Sequence, residues 1–197
     1  MIIYDNIIQG TPEWFRVKLG VPSAGSFDKI VTTKGEPSKQ RVKYAERLAG
    51  EIVSGIREDT YQSAAMERGV ELEAEARECY EFITGNKVDQ VGFCKTDIAG
   101  CSPDGLIGKD GGLEIKCPSM AVHVGYLRGK KLPTDYFQQV HGSLFVTGRE
   151  FWDFCSYFPG LKPFILRVFP DEGFIKCLER ELISFNEELN KIVEEIR

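Results

Sequence analysis

Apolar residues recur at three- and four-residue steps over three long stretches, which predicts amphipathic helices there. Val42, Ala45, Ala49 and Ile52 mark one over 39–54. Ala65, Gly69, Leu72, Ala76, Cys79 and Ile83 mark a second over 65–83, with its start expected at 60–66. Phe174, Leu178, Phe185, Leu189, Ile192 and Ile196 mark a third over 173–197. A shorter helix is expected over 12–20, where Thr11 suits the N-cap, Pro12 the first helical position and Gly20 the end. Ser23-Ala24-Gly25-Ser26 opens another. Thr134 is expected to cap a helix running to Val146, with Phe137, Val140 and Leu144 on its core face.

Short apolar runs between turn residues predict the strands. The segments 2–8, 88–94 and 95–101 are of this kind. Residues 151–158 (FWDFCSYF) and 164–169 (FILRVF) are aromatic and β-branched, and read as two strands buried on both faces. Within 100–118, GCSPDGLIGKDGGLEIKCP, two strands are joined by a tight turn expected at Lys109-Asp110-Gly111-Gly112. Residues 119–133 read as a glycine-bearing loop. No repeat, low-complexity tract or linker divides the chain, so one domain over 1–197 is expected.

Charge changes the picture next. The net charge of −5 disfavours a non-specific nucleic-acid coat, so any DNA contact must come from local basic clusters. Arg16 with Lys18, Lys39 with Arg41 and Lys43, and Arg128 with Lys130 and Lys131 are the candidates, each equally readable as a solvated face. The six cysteines contain no CxxC pair, which argues against a zinc site or disulfide framework and suits reduced thiols in a cytosol. No apolar run approaches the roughly 20 residues of a membrane span, and Met1–Gly10 lacks the pattern of a signal peptide.

The hairpin carries the chemistry. Residues two apart in a strand share a face, so Glu114 and Lys116 project together, and strand pairing sets Asp104 beside Glu114. Two adjacent carboxylates repel unless a cation lies between them. Hard oxygen ligands in a chain with only His123 and His141 suit Mg2+ or Mn2+. Lys116 can then orient a water or neutralise charge developing on a phosphoryl group. The competing reading is a solvated hairpin, with Leu113, Ile115 and Cys117 inward and Glu114 and Lys116 in water. A lone acidic-x-lysine triplet favours that reading; Ser102-Pro103-Asp104 at hairpin distance favours the cleft.

CSPDGL followed by GLEIKCP resembles the lambda-exonuclease (YqaJ-like viral recombinase) family of the PD-(D/E)xK nuclease superfamily. The resemblance implies an α/β restriction-endonuclease-like core, a central mixed β-sheet flanked by helices. Composition alone makes Glu73 one surface glutamate among Glu67, Glu71, Glu75 and Glu78. MERGVELEAEARECYEFITG looks like a family helix in which Glu73 is a further active-site carboxylate, and Gln139-Val140 matches a pair facing the metal site. The implied site has two Mg2+ ions, with Mn2+ as a substitute. Glu73, Asp104, Glu114 and the Ile115 carbonyl are the ligands, and Lys116 and Gln139 stand beside them. Trp14, Lys18 and Gly20 match a family block whose basic residue binds the 5′-phosphate, so Lys18 takes that role, with Arg16, Ser23 and Ser26 as supporting candidates. A loop with Arg128, Lys130 and Lys131 is expected near DNA.

By resemblance the activity is 5′-to-3′ degradation of linear double-stranded DNA to mononucleotides, leaving 3′ single strands. A homotrimeric ring working with a single-strand-annealing protein is implied, phage- or prophage-encoded and placed in the bacterial cytoplasm. A structure-specific endonuclease and a catalytically silent nucleic-acid-binding module are the alternatives. Cleavage of closed circles marks the first, and absence of metal binding the second.

Overall fold

The computed structural model describes residues 1–58 and 64–197. The strands β1 (Ile2–Tyr4), β2 (Phe93–Lys95) and β3 (Gly100–Cys101) form an antiparallel sheet in that order. A second sheet runs β4 (Gly105–Ile107), β5 (Gly111–Lys116), β6 (Phe151–Ser156), β7 (Phe164–Val168). Its central pair β5–β6 is parallel and its outer pairs are antiparallel, so it is mixed. The expected α/β architecture is therefore present, with its strands divided between two sheets rather than one.

The helices are α1 (Pro12–Lys18), α2 (Arg41–Ser54), α3 (Ala64–Thr84), α4 (Met120–Gly129), α5 (Phe137–Thr147) and α6 (Glu172–Ile196). Thr11 caps α1 by accepting from the Trp14 amide, as its sequence position implies. The start expected at 60–66 falls partly on 59–63, outside the described residues, as does the Ala65 side chain of the predicted stripe. A parallel β5–β6 pair needs a long crossover, and α4 and α5 occupy it. The loop expected over 119–133 is thus mostly helix, with Met120, Val122 and Val124 exposed and His123 its buried residue.

The register fixes which face each residue takes. Gly112, Glu114 and Lys116 lie level with Trp152, Phe154 and Ser156, while Leu113 and Ile115 lie level with Asp153 and Cys155. Trp152 and Phe154 join a core with Val140 and Leu144 of α5 and Leu178, Leu182 and Phe185 of α6. On the other face Leu113, Ile115 and Cys155 pack beneath Ala76 and Tyr80 of α3. Each such fully buried large side chain contributes roughly 1.5–3 kcal/mol. Tyr80 rather than Ile83 completes the inner face of α3; Ile83 is exposed.

Several expectations are corrected. The hairpin turn is Gly108-Lys109-Asp110, because Gly111 and Gly112 already pair with Ile107 and Leu106. Gly108 supplies the left-handed backbone there, at φ +52°. Val42 faces outward on α2, where Tyr44, Ala45, Leu48 and Ala49 form the core face instead. Thr134 begins a short 3-10 turn over 134–136 without a side-chain cap. β7 is an edge strand with mostly half-buried side chains, so of these two expected strands β6 alone is enclosed on both faces. The Lys39–Arg41–Lys43 cluster loses its central member to the core: Arg41 donates to Glu188 at 2.9 Å, Glu181 at 3.0 Å and Ser184 at 3.0 Å, tying α2 to α6.

Candidate active site

Asp104 sits just before β4, where its amide donates to the Leu113 carbonyl at 3.1 Å. Its Oδ2 accepts the Ile115 amide at 2.6 Å. This clasp places Asp104 across from Glu114, as the hairpin spacing predicts. Glu114 is almost wholly buried, at 1% exposure, whereas Lys116 keeps 27% of its side chain open to solvent. That geometry rejects the solvated hairpin for Glu114. Both Lys116 Nζ and Gln139 Nε2 donate to Glu114 Oε1 at 2.5 Å. The other oxygen, Oε2, is buried and has no hydrogen-bond partner.

Gln139 reaches this point because α5 lies unusually close to the 3-10 turn over 24–29. Gly142, one turn beyond Gln139, permits the approach; a Cβ there would meet the Phe27 ring at 2.4 Å. Glu73 enters from α3 and pairs with Arg77, four residues on, whose Nε also donates to the Asp104 carbonyl at 3.3 Å. The Tyr136 ring stands 5.3 Å from Lys116 Nζ.

Charge is poorly neutralised in this cleft. Burial pushes Glu114 up to about 7; Lys116 pulls it back, and Asp104 and Glu73 push it further. Burial also raises Asp104, and burial followed by the Asp104 charge raises Glu73. Burial opposes the charge on Lys116, but Glu114 and Asp104 outweigh it and hold the ammonium above its ordinary range. Among the described residues, no three His, Cys, Asp or Glu side chains converge as a ready-made metal cluster, since Glu73 is turned to Arg77. The donors nonetheless fit a hard cation. The Asp104 and Glu114 carboxylates repel each other, one buried oxygen is unpartnered, and a positive charge there would relieve the repulsion.

A second group of candidates lies next to the first. Lys18 Nζ is 3.3 Å from Ser102 Oγ and 3.6 Å from the Trp14 ring centroid. Trp14 Nε1 donates to the Gly92 carbonyl at 2.8 Å and to Ser102 Oγ at 3.2 Å. Burial, reinforced by the Arg57 charge, pulls Lys18 down to about 7. Ser23 bridges to Gly100, two residues before Ser102. Ser26 lies on the 3-10 turn beyond it. Arg16 is exposed beside a shallow cavity of about 350 Å3 that Phe15 and Arg57 also line, apart from the carboxylates. Arg128, Lys130 and Lys131 are exposed at the end of α4, where Lys130 takes a left-handed conformation, and no contact joins them to the carboxylates.

Ser102 was within sequence reach, since it opens the Ser-Pro-Asp triplet, but only the fold brings it to Lys18. Arg77 carried the weaker signal of lying one helical turn from Glu73.

An α/β sheet with a buried glutamate, a half-buried aspartate and a lysine at one strand end defines a nuclease-like architecture. Residues 13–150 match the YqaJ-like viral recombinase domain, and the chain belongs to that family. The fold is similar to the alkaline exonuclease LHK-Exo of Laribacter hongkongensis, with TM-score 0.85 and 33% identity over 94% of this chain and 96% of that one. The same exonuclease in complex with dAMP matches equally, with TM-score 0.85, 33% identity and the same coverage. A phage-related exonuclease of Haemophilus somnus shares the fold at TM-score 0.72 and 12% identity, over 90% of this chain and 96% of that one. No curated protein matches at a significant level. Family and neighbours together support a nuclease.

Proposed function

We propose that the chain is a Mg2+-dependent 5′-to-3′ exonuclease acting on the ends of linear double-stranded DNA. The observation that carries this reading is the buried, unpartnered Glu114 Oε2, with the Asp104 charge acting on the same carboxyl and Lys116 bonded to its other oxygen. Asp104, Glu114, the Ile115 carbonyl and Glu73 are the residues that would hold two Mg2+ ions, and Mn2+ suits the same oxygens. Bound there, such ions supply an activated water and neutralise charge on the attacking and leaving oxygens.

The chain's own residues do the rest. Lys116, partly open to solvent, presents its ammonium to the attacking water and to the phosphoryl oxygens. Gln139 holds Glu114 through Oε1 and leaves Oε2 free for a cation. Lys18 and Ser102, beside the residue that leads into Asp104, form the 5′-phosphate subsite, with Arg16, Ser23 and Ser26 around it. Lysine supplies a point charge there rather than a fork. The dAMP complex of the 33%-identical exonuclease supports a mononucleotide product. Its retained lysine and carboxylates favour an enzyme over a silent binding module.

The proposal extends to the biological setting: 3′ single strands would be delivered to a single-strand-annealing partner in a phage-infected or prophage-bearing host. A homotrimeric ring would let a chain of net charge −5 stay on DNA by topology rather than bulk attraction. A strict monomer in sedimentation at working concentration removes the ring. The activity is tested on matched linear and covalently closed duplexes with Mg2+, the linear ends labelled in turn and carrying 5′-phosphate or 5′-hydroxyl. Stepwise loss from 5′-phosphorylated ends with intact circles is expected; cut circles would identify an endonuclease instead.

A further inference from the structure

Arg77 makes contacts that a helix-surface ion pair does not need. An exposed i,i+4 pair is worth only a few tenths of a kcal/mol and fixes little. Arg77 instead keeps only 12% of its side chain exposed, against 36% for Glu73. Its Nη2 donates to Glu73 Oε1, and its Nε donates to the backbone carbonyl of Asp104 at 3.3 Å. With the Gln90 amide oriented to accept, Gln90 Oε1 takes Nη1 and Nη2 at 3.0 and 3.1 Å. The guanidinium is therefore held on three sides by a helix, a strand connection and the segment that leads into β2.

Glu73 belongs to α3, whereas Asp104 belongs to the connection entering β4. Nothing in the hairpin ladder fixes the distance between them. Arg77 touches both, and its charge offsets the repulsion that Asp104 exerts on Glu73. It engages only Oε1, so the second Glu73 oxygen is not used by this pair.

We infer that Arg77 is a positioning residue that presents Glu73 and Asp104 together to a divalent cation. This rests on the metal-dependent reading above. A planar fork suits the role because one group must bond to a carboxylate and a carbonyl in fixed directions, which lysine cannot do.

The test is calorimetric titration of Mg2+ into the full chain, without DNA, for wild type, Arg77→Gln, Arg77→Lys, Glu73→Gln and the Glu73/Arg77 double variant. Groups that orient metal ligands typically change affinity by about 10–100-fold. Arg77→Gln and Arg77→Lys should both weaken Mg2+ binding by at least about tenfold. Cleavage by either should shift to higher Mg2+ with a largely recovered maximal rate. In the Glu73→Gln background, Arg77→Gln should add much less than its own effect. Circular dichroism checks that each variant folds, and Arg77→Lys keeps the charge should the glutamine variant unfold. Wild-type Mg2+ affinity in folded Arg77→Lys, or full additivity in the double variant, overturns the inference. A wild-type chain that binds no Mg2+ overturns the metal-dependent reading and this inference with it.

Discussion

Gln139 of α5 donates to Glu114 of β5 at 2.5 Å, on the same oxygen that Lys116 holds. Helix and strand thus meet on one carboxylate atom, and the other atom is left buried without a partner. A site poised in this way is more stable with a cation than without one.

Mg2+ should therefore stabilise the fold. A ligand at a hundredfold excess over its Kd adds about 2.7 kcal/mol, a rise of roughly 5–10 °C for a chain of this size. Thermal melting with and without Mg2+ measures it. Glu114→Gln removes the charge and puts an amide nitrogen in place of the unpartnered oxygen, so its Mg2+-induced rise in melting temperature should be much smaller than that of the wild type.

Lys18 carries an unfavourable burial whose sign can be followed with pH. Its folded value of about 7 lies below the 10.5 of an ordinary lysine. Below pH 7 the folded chain bears the full penalty of the buried charge. Between about 7 and 10.5 the folded chain releases the proton while the unfolded chain keeps it, and the penalty is relieved as pH rises. Lys18→Met should raise the melting temperature at pH 6, with the gain shrinking by pH 10. The same variant should lose its preference for 5′-phosphorylated over 5′-hydroxyl ends.

Arg41 was a candidate for DNA contact by sequence and is an ion-pair hub in the fold. Arg41→Ala removes the buried partner of Glu181, 10% exposed, and leaves it only the exposed Arg180 at 3.2 Å. Breaking such a pair should cost about 3 kcal/mol of stability by denaturant unfolding. The salt dependence of DNA binding should not change. Lys18→Met should reduce that dependence by about one phosphate contact.

The hairpin was legible because its signals are local. Period-two spacing set Glu114 with Lys116, and the pairing of Gly105 with Leu113 brought Asp104 across. Glu73 and Gln139 were legible only through family resemblance, since a glutamate and a glutamine on helices look like surface residues without the fold. The helix over 120–129 was missed because its three-residue steps are broken by glycines and its only buried residue is His123. The expected turn began one residue late and ran two residues too far because Gly111 and Gly112 resemble turn residues; they are glycines because the Phe151 and Trp152 rings lie against them. Arg41 could not be assigned from sequence, because its partners lie on α6, and for Arg77 only the Glu73 pairing is local, since Asp104 and Gln90 lie in other segments.

The most direct test is single-turnover cleavage of 5′-phosphorylated linear duplex with Mg2+, comparing wild type with Lys116→Ala and Asp104→Asn at matched folding. Loss of one such charge-stabilising group should lower the rate by about 10²–10³-fold. Both variants should fall at least that far and keep their fold. Near-wild-type rates in folded Lys116→Ala or Asp104→Asn would contradict the assignment of this cleft as the active site.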